Sequence, residues 1–227
     1  MALILCLETA TRNCSVALSE DGIVIGEKSH CAIGYSHAEQ LHPFILEVLT
    51  KAGKKVSDLD AIAVSSGPGS YTGLRIGISA AKGLAYSLDL PLISIPTLQS
   101  IAQATVQESW FTKGLICPMI DARRMEVYTC LFDGNSIERT KTDALIIDAS
   151  SFSEELNNQE IVFIGDGADK CEAVIKHDNA KFIKDFFPEA KYLASPAQKK
   201  FVEKQFENLA YFEPYYFKQF QALKSKK

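Results

Sequence analysis

Residues 65–77, Ser-Ser-Gly-Pro-Gly-Ser-Tyr-Thr-Gly-Leu-Arg-Ile-Gly, place a glycine-rich turn between an apolar stretch at 61–64 and an amphipathic run. A turn that opens directly into a helix presents unpaired N–H groups and the positive end of the helix dipole, which is the usual chemistry for holding a phosphate. The spacing departs from both common nucleotide motifs. A P-loop continues its second glycine with Lys-Ser/Thr, whereas Gly73 is followed by Leu74 and Arg75. The dinucleotide fingerprint places two residues before its last glycine, and three separate Gly69 from Gly73. Metal chemistry has no better footing. His37 and His42 stand five apart, about 140° around a helix, and so do not share a face. Ser65 and Ser66 lack a glycine-flanked nucleophile elbow and read as turn formers.

The helix behind the turn, expected over 71–88, carries Gly73, Gly77, Ala80, Ala81 and Gly83. A glycine inside a helix costs about 1 kcal/mol relative to alanine, so several together imply that another backbone comes very close. That backbone belongs either to this domain's own sheet or to another subunit; the stripe serves both. A second helix begins at Ser36, where Ser36 and Glu39 form a capping box. Its apolar positions Ala38, Leu41, Ile45, Val48 and Ala52 are broadened by Phe44 and Leu49 beyond a narrow seam, and Pro43 lies inside it.

Around these helices the pattern predicts strands at 2–7, 15–19, 23–28, 60–65 and 91–95, then a helix at 97–107. It restarts with strands at 115–121, 126–132, 144–148 and 161–165, and helices at 151–156, 168–176 and from Ser195, capped with Pro196 and Gln198. The mixed α/β pattern restarts in the second half, which divides the chain into 1–100 and 101–227 with the boundary expected near 96–112 and the last helix free to pack back on the first half. Asp121, Arg123, Arg124 and Glu126 cluster between two strands of the second half, with an Arg123–Glu126 ion pair as the default expectation.

The 65–77 run resembles the signature of the bacterial TsaB (YeaZ) family. Further matching segments follow in order: Leu7-Glu8-Thr9, His37-Ala38-Glu39, Asp121-Ala122-Arg123, Glu126-Val127-Tyr128, Gly165-Asp166-Gly167-Ala168 and Glu213-Pro214-Tyr215-Tyr216. Glu8 stands where aspartate is common in that family, and His42 where leucine is common. The resemblance implies the two-lobed fold of the actin-like ATPase superfamily. It implies a non-catalytic scaffold that pairs with TsaD in threonylcarbamoyl transfer to adenosine 37 of tRNA, with TsaE as a third component. tRNA is then met only through the complex, and a homodimer through the same helices is an alternative. The expected partner face comprises His37, Leu41, Phe44, Ile45, Val48, Tyr71, Gly73, Arg75, Gly77, Ala80 and Ala81.

An active nucleotide-dependent kinase or transferase of the same fold, or a glycoprotease-like hydrolase, is the rival reading. Candidates for nucleotide contact are confined to Glu8, Gly165 and Gly167, and the Gly165–Gly167 turn reads more simply as a strand-to-helix connection. No cofactor and no metal are expected, a nucleotide entering only through the partner complex.

Composition bounds these readings. The 227 residues are 47% hydrophobic and 23% charged, an ordinary globular balance. The net charge of −4 argues against strong unaided binding to nucleic-acid phosphates, and Lys218, Lys224, Lys226 and Lys227 read as a solvated tail. Six scattered cysteines without a Cys-x-x-Cys pair, no basic n-region at the start and no apolar run near ~20 residues lead to the expectation of a cytoplasmic protein with reduced thiols and no membrane span.

Overall fold

The computed structural model describes residues 1–31 and 37–217; the expected Ser36 cap and the lysines beyond 217 lie outside them. The first half builds strands β1 (Leu3–Glu8), β2 (Asn13–Glu20) and β3 (Ile23–Cys31), helix α1 (His37–Lys51), β4 (Ala61–Ser65), α2 (Tyr71–Leu88), β5 (Leu92–Ile95) and α3 (Thr97–Gln107). The second half builds β6 (Leu115–Asp121), β7 (Glu126–Thr129), β8 (Asp143–Ile146), α4 (Ser153–Asn158), β9 (Ile161–Ile164), α5 (Ala168–Glu172), β10 (Ala180–Ile183) and α6 (Ala194–Val202).

The two sheets have one topology. The first runs β3-β2-β1-β4-β5 and the second β8-β7-β6-β9-β10. In each, the first three strands form an antiparallel meander and the last two add in parallel to the opposite side of the first strand. Helical crossovers are what let parallel strands follow one another.

Both faces of β1 are apolar, as a central strand requires. Leu3, Leu5 and Leu7 face α1 and α2, meeting Leu41, Ile45, Val48, Ile78 and Ala81. The alternate residues Ile4 and Cys6 face the other way, onto Leu193 and Ala197. The helix covering that rear face is therefore α6, from the other end of the chain. Conversely, α3 lays Leu98 and Ile101 on the second sheet beside Ile116 and Ile120.

Several local expectations are corrected. The last helix starts at Ala194, continuing from a 3-10 turn at Ala190–Leu193, and no side chain caps it, because that turn already supplies the preceding backbone. Strand β7 and helix α5 are shorter than the pattern suggested. The chain turns at Cys130 toward an isolated bridge between Ile116 and Phe132, and α5 ends at Glu172. Strand β10 was not anticipated. Its four residues, Ala-Lys-Phe-Ile, are only partly buried and carry little alternation.

Candidate functional site

The glycine turn closes on the chain itself. Ser70 caps α2 by accepting from the Gly73 N–H at 3.2 Å, and its own N–H donates to the Ala10 carbonyl at 2.6 Å. The Thr9 hydroxyl donates to the Gly73 carbonyl at 2.8 Å. A Cβ at Gly69 would strike Ala10, one at Gly73 the Thr9 carbonyl, and one at Gly77 the Thr9 hydroxyl. The backbone that demands small residues is thus the loop after β1, within the same lobe.

Glu8, at the end of β1, is fully buried under this turn. Its Oε1 accepts from the Ala10 N–H at 2.7 Å and from the Ser65 hydroxyl at 2.8 Å, while Oε2 has no partner among the described residues. Burial pushes the carboxyl up to about 7, against the pull of those hydrogen bonds. His37 fastens the start of α1 to the same loop, with Nε2 2.8 Å from the Thr11 carbonyl. Burial lowers its pKa, which favours the neutral ring that donates one N–H there.

The corresponding turn of the second lobe is also closed. Gly165 has φ +117° and lies against the Met119 carbonyl, which accepts the Gly167 N–H at 3.0 Å. Asp166 accepts from the Asp121 N–H at 3.0 Å, and burial raises its carboxyl to about 6. Asp121 forms an ion pair with Lys170, whose ammonium also donates to the Glu126 carbonyl at 2.7 Å. The Glu126 N–H donates to the Arg123 carbonyl at 3.2 Å. Arg123 and Arg124 sit at the tip of the β6–β7 hairpin with φ of +71° and +53°. Among the described residues no group of three potential metal ligands occurs, and no helix is long and apolar enough to cross a membrane.

The outer side of α1 and α2 is open. A groove of about 470 Å³ is lined by Ala38 and His42 from α1 and by Ile76, Ser79, Ala80, Gly83 and Leu84 from α2. Nothing lies within 4 Å of where a Cβ on Gly83 would stand. Of the expected partner face, Phe44, Tyr71, Arg75 and Ala80 retain outward exposure. The others turn inward. Leu41, Ile45 and Val48 pack on the first sheet, Ala81 joins them, His37 holds Thr11, and Gly73 and Gly77 admit Thr9. A helix on a sheet puts its strongest apolar stripe inward, so these side chains serve the core of the lobe. The open groove is lined instead by Ile76, Ser79, Gly83, Leu84, Ala38 and His42. The signal for these was the small residues lying off the main stripe.

A C-terminal strap, residues 205–217, runs back along α2. The Glu207 N–H donates to the Leu92 carbonyl at 2.9 Å, and Leu209 and Phe212 pack against the first core. Lys82 donates to the Phe212 carbonyl at 2.9 Å and to that of Ala210 at 3.4 Å. The Tyr215 N–H reaches the Ser66 carbonyl at 2.8 Å. Gly67, at φ +104°, lies against the Tyr215 carbonyl, so the Glu213-Pro214-Tyr215-Tyr216 segment and the glycine turn are one packed unit.

Comparison with known proteins bears on this geometry. A family model described as TsaD, tRNA N6-adenosine threonylcarbamoyltransferase, matches residues 32–224. The tRNA threonylcarbamoyladenosine biosynthesis protein TsaB of Escherichia coli K12 is 42% identical over 125 residues, 55% of this chain and 52% of that protein. The match thus spans about half the length of that relative. The TsaB protein of Buchnera aphidicola subsp. Schizaphis graminum is 31% identical over 200 residues, covering 83% of this chain and 90% of that protein. The crystal structure of YeaZ from Pseudomonas aeruginosa superposes with a TM-score of 0.84 at 28% identity, over 95% of this chain and 100% of that one. The duplicated sheets have the actin-like ATPase fold. With a TsaB relative matched over 90% of its length and the YeaZ structure superposing over the whole of that chain, the chain belongs to the TsaB (YeaZ) family.

Proposed function

We propose that this chain works in the biosynthesis of threonylcarbamoyladenosine in tRNA as a non-catalytic scaffold. It would dock a TsaD-type transferase on the outer faces of α1 and α2. The observation that carries this reading is the groove between those helices. It is apolar, rimmed by His42 and Ser79, and floored by Ala80 and Gly83, which let another helix come close. The inward packing of Gly69, Gly73, Gly77 and Gly165 supports a scaffold over a nucleotide-dependent enzyme, because the backbone that could cradle phosphate is occupied by the chain's own carbonyls and side chains. On this reading a nucleotide, TsaE and tRNA belong to the assembled complex.

The test is co-purification with the TsaD-type protein of the same organism. Ser79→Trp fills the groove from an exposed position and His42→Asp charges its rim, and neither residue belongs to the core. Loss of the complex in both variants, with unchanged melting temperature, is the expected result. A complex that survives both would place the interface elsewhere. Leu41→Asp is unsuitable as a probe, since Leu41 is a core residue and the change would unfold the lobe.

A further inference from the structure

A second cavity, of about 350 Å³, opens where the first sheet meets the 183–192 segment of the second half. Asn13 and Ser29, from β2 and β3, line it together with Trp110, Phe186, Phe187 and Tyr192. It shares no lining residue with the α1–α2 groove. Its walls are pinned from one half of the chain to the other. The buried Asn13 amide donates to the Pro188 carbonyl at 3.0 Å, and the Ala190 N–H donates to the Ser15 hydroxyl at 3.0 Å. Three of the rings touch in turn. Trp110 meets Phe186 edge-on with centroids 5.9 Å apart, and Phe186 meets Tyr192 at 6.0 Å.

Carboxylates accompany these rings. Asp185 and Glu189 line the cavity, and the Tyr192 hydroxyl donates to Glu108 at 3.0 Å. Burial holds the Glu189 carboxyl above its ordinary range, and the charges of Glu27 and Glu108 push it further, against the pull of Lys191 at 3.7 Å. Glu27 falls on the same face of β3 as Ser29. Of the nearby cations, Lys184 is engaged by Glu172 at 2.8 Å. Two others already use the wall: the Arg12 guanidinium lies 4.3 Å from the Phe187 ring centroid, and the Lys191 ammonium 5.1 Å from that of Tyr192. Asp185, Glu189, Glu27, Glu108 and Glu172 together still outnumber Arg12, Lys184 and Lys191. That surplus repels a phosphate and attracts a cation.

Aromatic faces attract ammonium groups, carboxylates give them charge-assisted hydrogen bonds, and the volume is that of a small-molecule site. We propose that this cavity binds a small aliphatic polyamine, its ammonium groups on Asp185 and Glu189 and its methylenes along the rings. The proposal is independent of the scaffold reading.

Trp110 is the single tryptophan of the chain, so its fluorescence reports directly on the cavity. The full chain is titrated with spermidine at 0.15 M salt, and calorimetry gives the stoichiometry. A saturable change at one spermidine per chain is expected, with magnesium chloride producing none. Glu189→Gln keeps the side-chain shape and should weaken binding about tenfold. Asp185→Asn should weaken it as well; its left-handed backbone, φ +54°, is one that asparagine tolerates, so this variant decides if Glu189→Gln melts early. No saturable change with spermidine would overturn the proposal. So would an equal response to magnesium, which would reduce the site to a diffuse acidic surface, or undiminished affinity in the folded variants.

Discussion

Glu8→Gln isolates the energetics of the turn. The carboxyl of Glu8 is fully buried, and its pKa rises from 4.5 to about 7 on folding. Between those values the folded state holds a proton that the unfolded state has released, so stability falls as pH rises through the window. The group gives no penalty below about 4.5 and its full penalty above about 7. A shift of roughly 2.5 units at 1.36 kcal/mol per unit amounts to ~3 kcal/mol. Glutamine keeps the shape, and its Oε1 can accept from the Ala10 N–H and the Ser65 hydroxyl as the carboxyl does.

The variant should therefore match wild type near pH 4 and exceed it by about 3 kcal/mol near pH 8. For a chain of this size that is ~6–12 °C in melting temperature. Thermal melts of both proteins at the two pH values measure it directly. His37, which is destabilised in its charged form and acts in the opposite direction as pH falls below its ordinary value, is common to both proteins and cancels in the difference. Parallel melting curves at both pH values would refute the account of a desolvated carboxyl.

The glycines of α2 should separate by environment. Gly83→Ala meets nothing and should stabilise by about 1 kcal/mol, whereas Gly73→Ala drives a methyl into the Thr9 carbonyl and should cost about 3 kcal/mol or more; denaturant midpoints distinguish them. Lys82→Met removes the donor to two strap carbonyls and should speed proteolytic nicking in 205–217 by about tenfold at unchanged global stability, read by limited digestion. Ser79→Trp should abolish partner co-purification without lowering the melting temperature.

Much of this architecture was legible in the sequence because it depends on local pattern. The bounds of α2, Tyr71–Leu88, and of α3, Thr97–Gln107, follow from apolar periodicity and turn chemistry. The repeated strand order followed from the restart at Leu115. Which side of α1 and α2 stays open was harder to read. Leu41, Ile45 and Val48 form an apolar stripe that serves a sheet and a partner equally well, and only the sheet's position decides between them. Likewise the glycines at 69, 73 and 77 announce a close approach but cannot name Thr9 and Ala10, which arrive from 60 residues away in sequence, as what approaches. The strap left almost no trace, since residues 205–217 have neither helical nor strand period and are held by individual hydrogen bonds.

The crossed assignment of α3 and α6 has a consequence for synthesis on the ribosome. The rear of the first sheet, with Ile4, Cys6, Ile93 and Ile95, is sealed by Leu193 and Ala197. Translation must therefore run about a hundred residues beyond β5 before that face has its cover. At ~5–20 residues per second the nascent first lobe shows a sticky surface for on the order of 10 s. The duplicated lobes are thus not a pair of autonomous modules. A fragment ending after α3 would keep every strand of the first sheet and still be an aggregation-prone half.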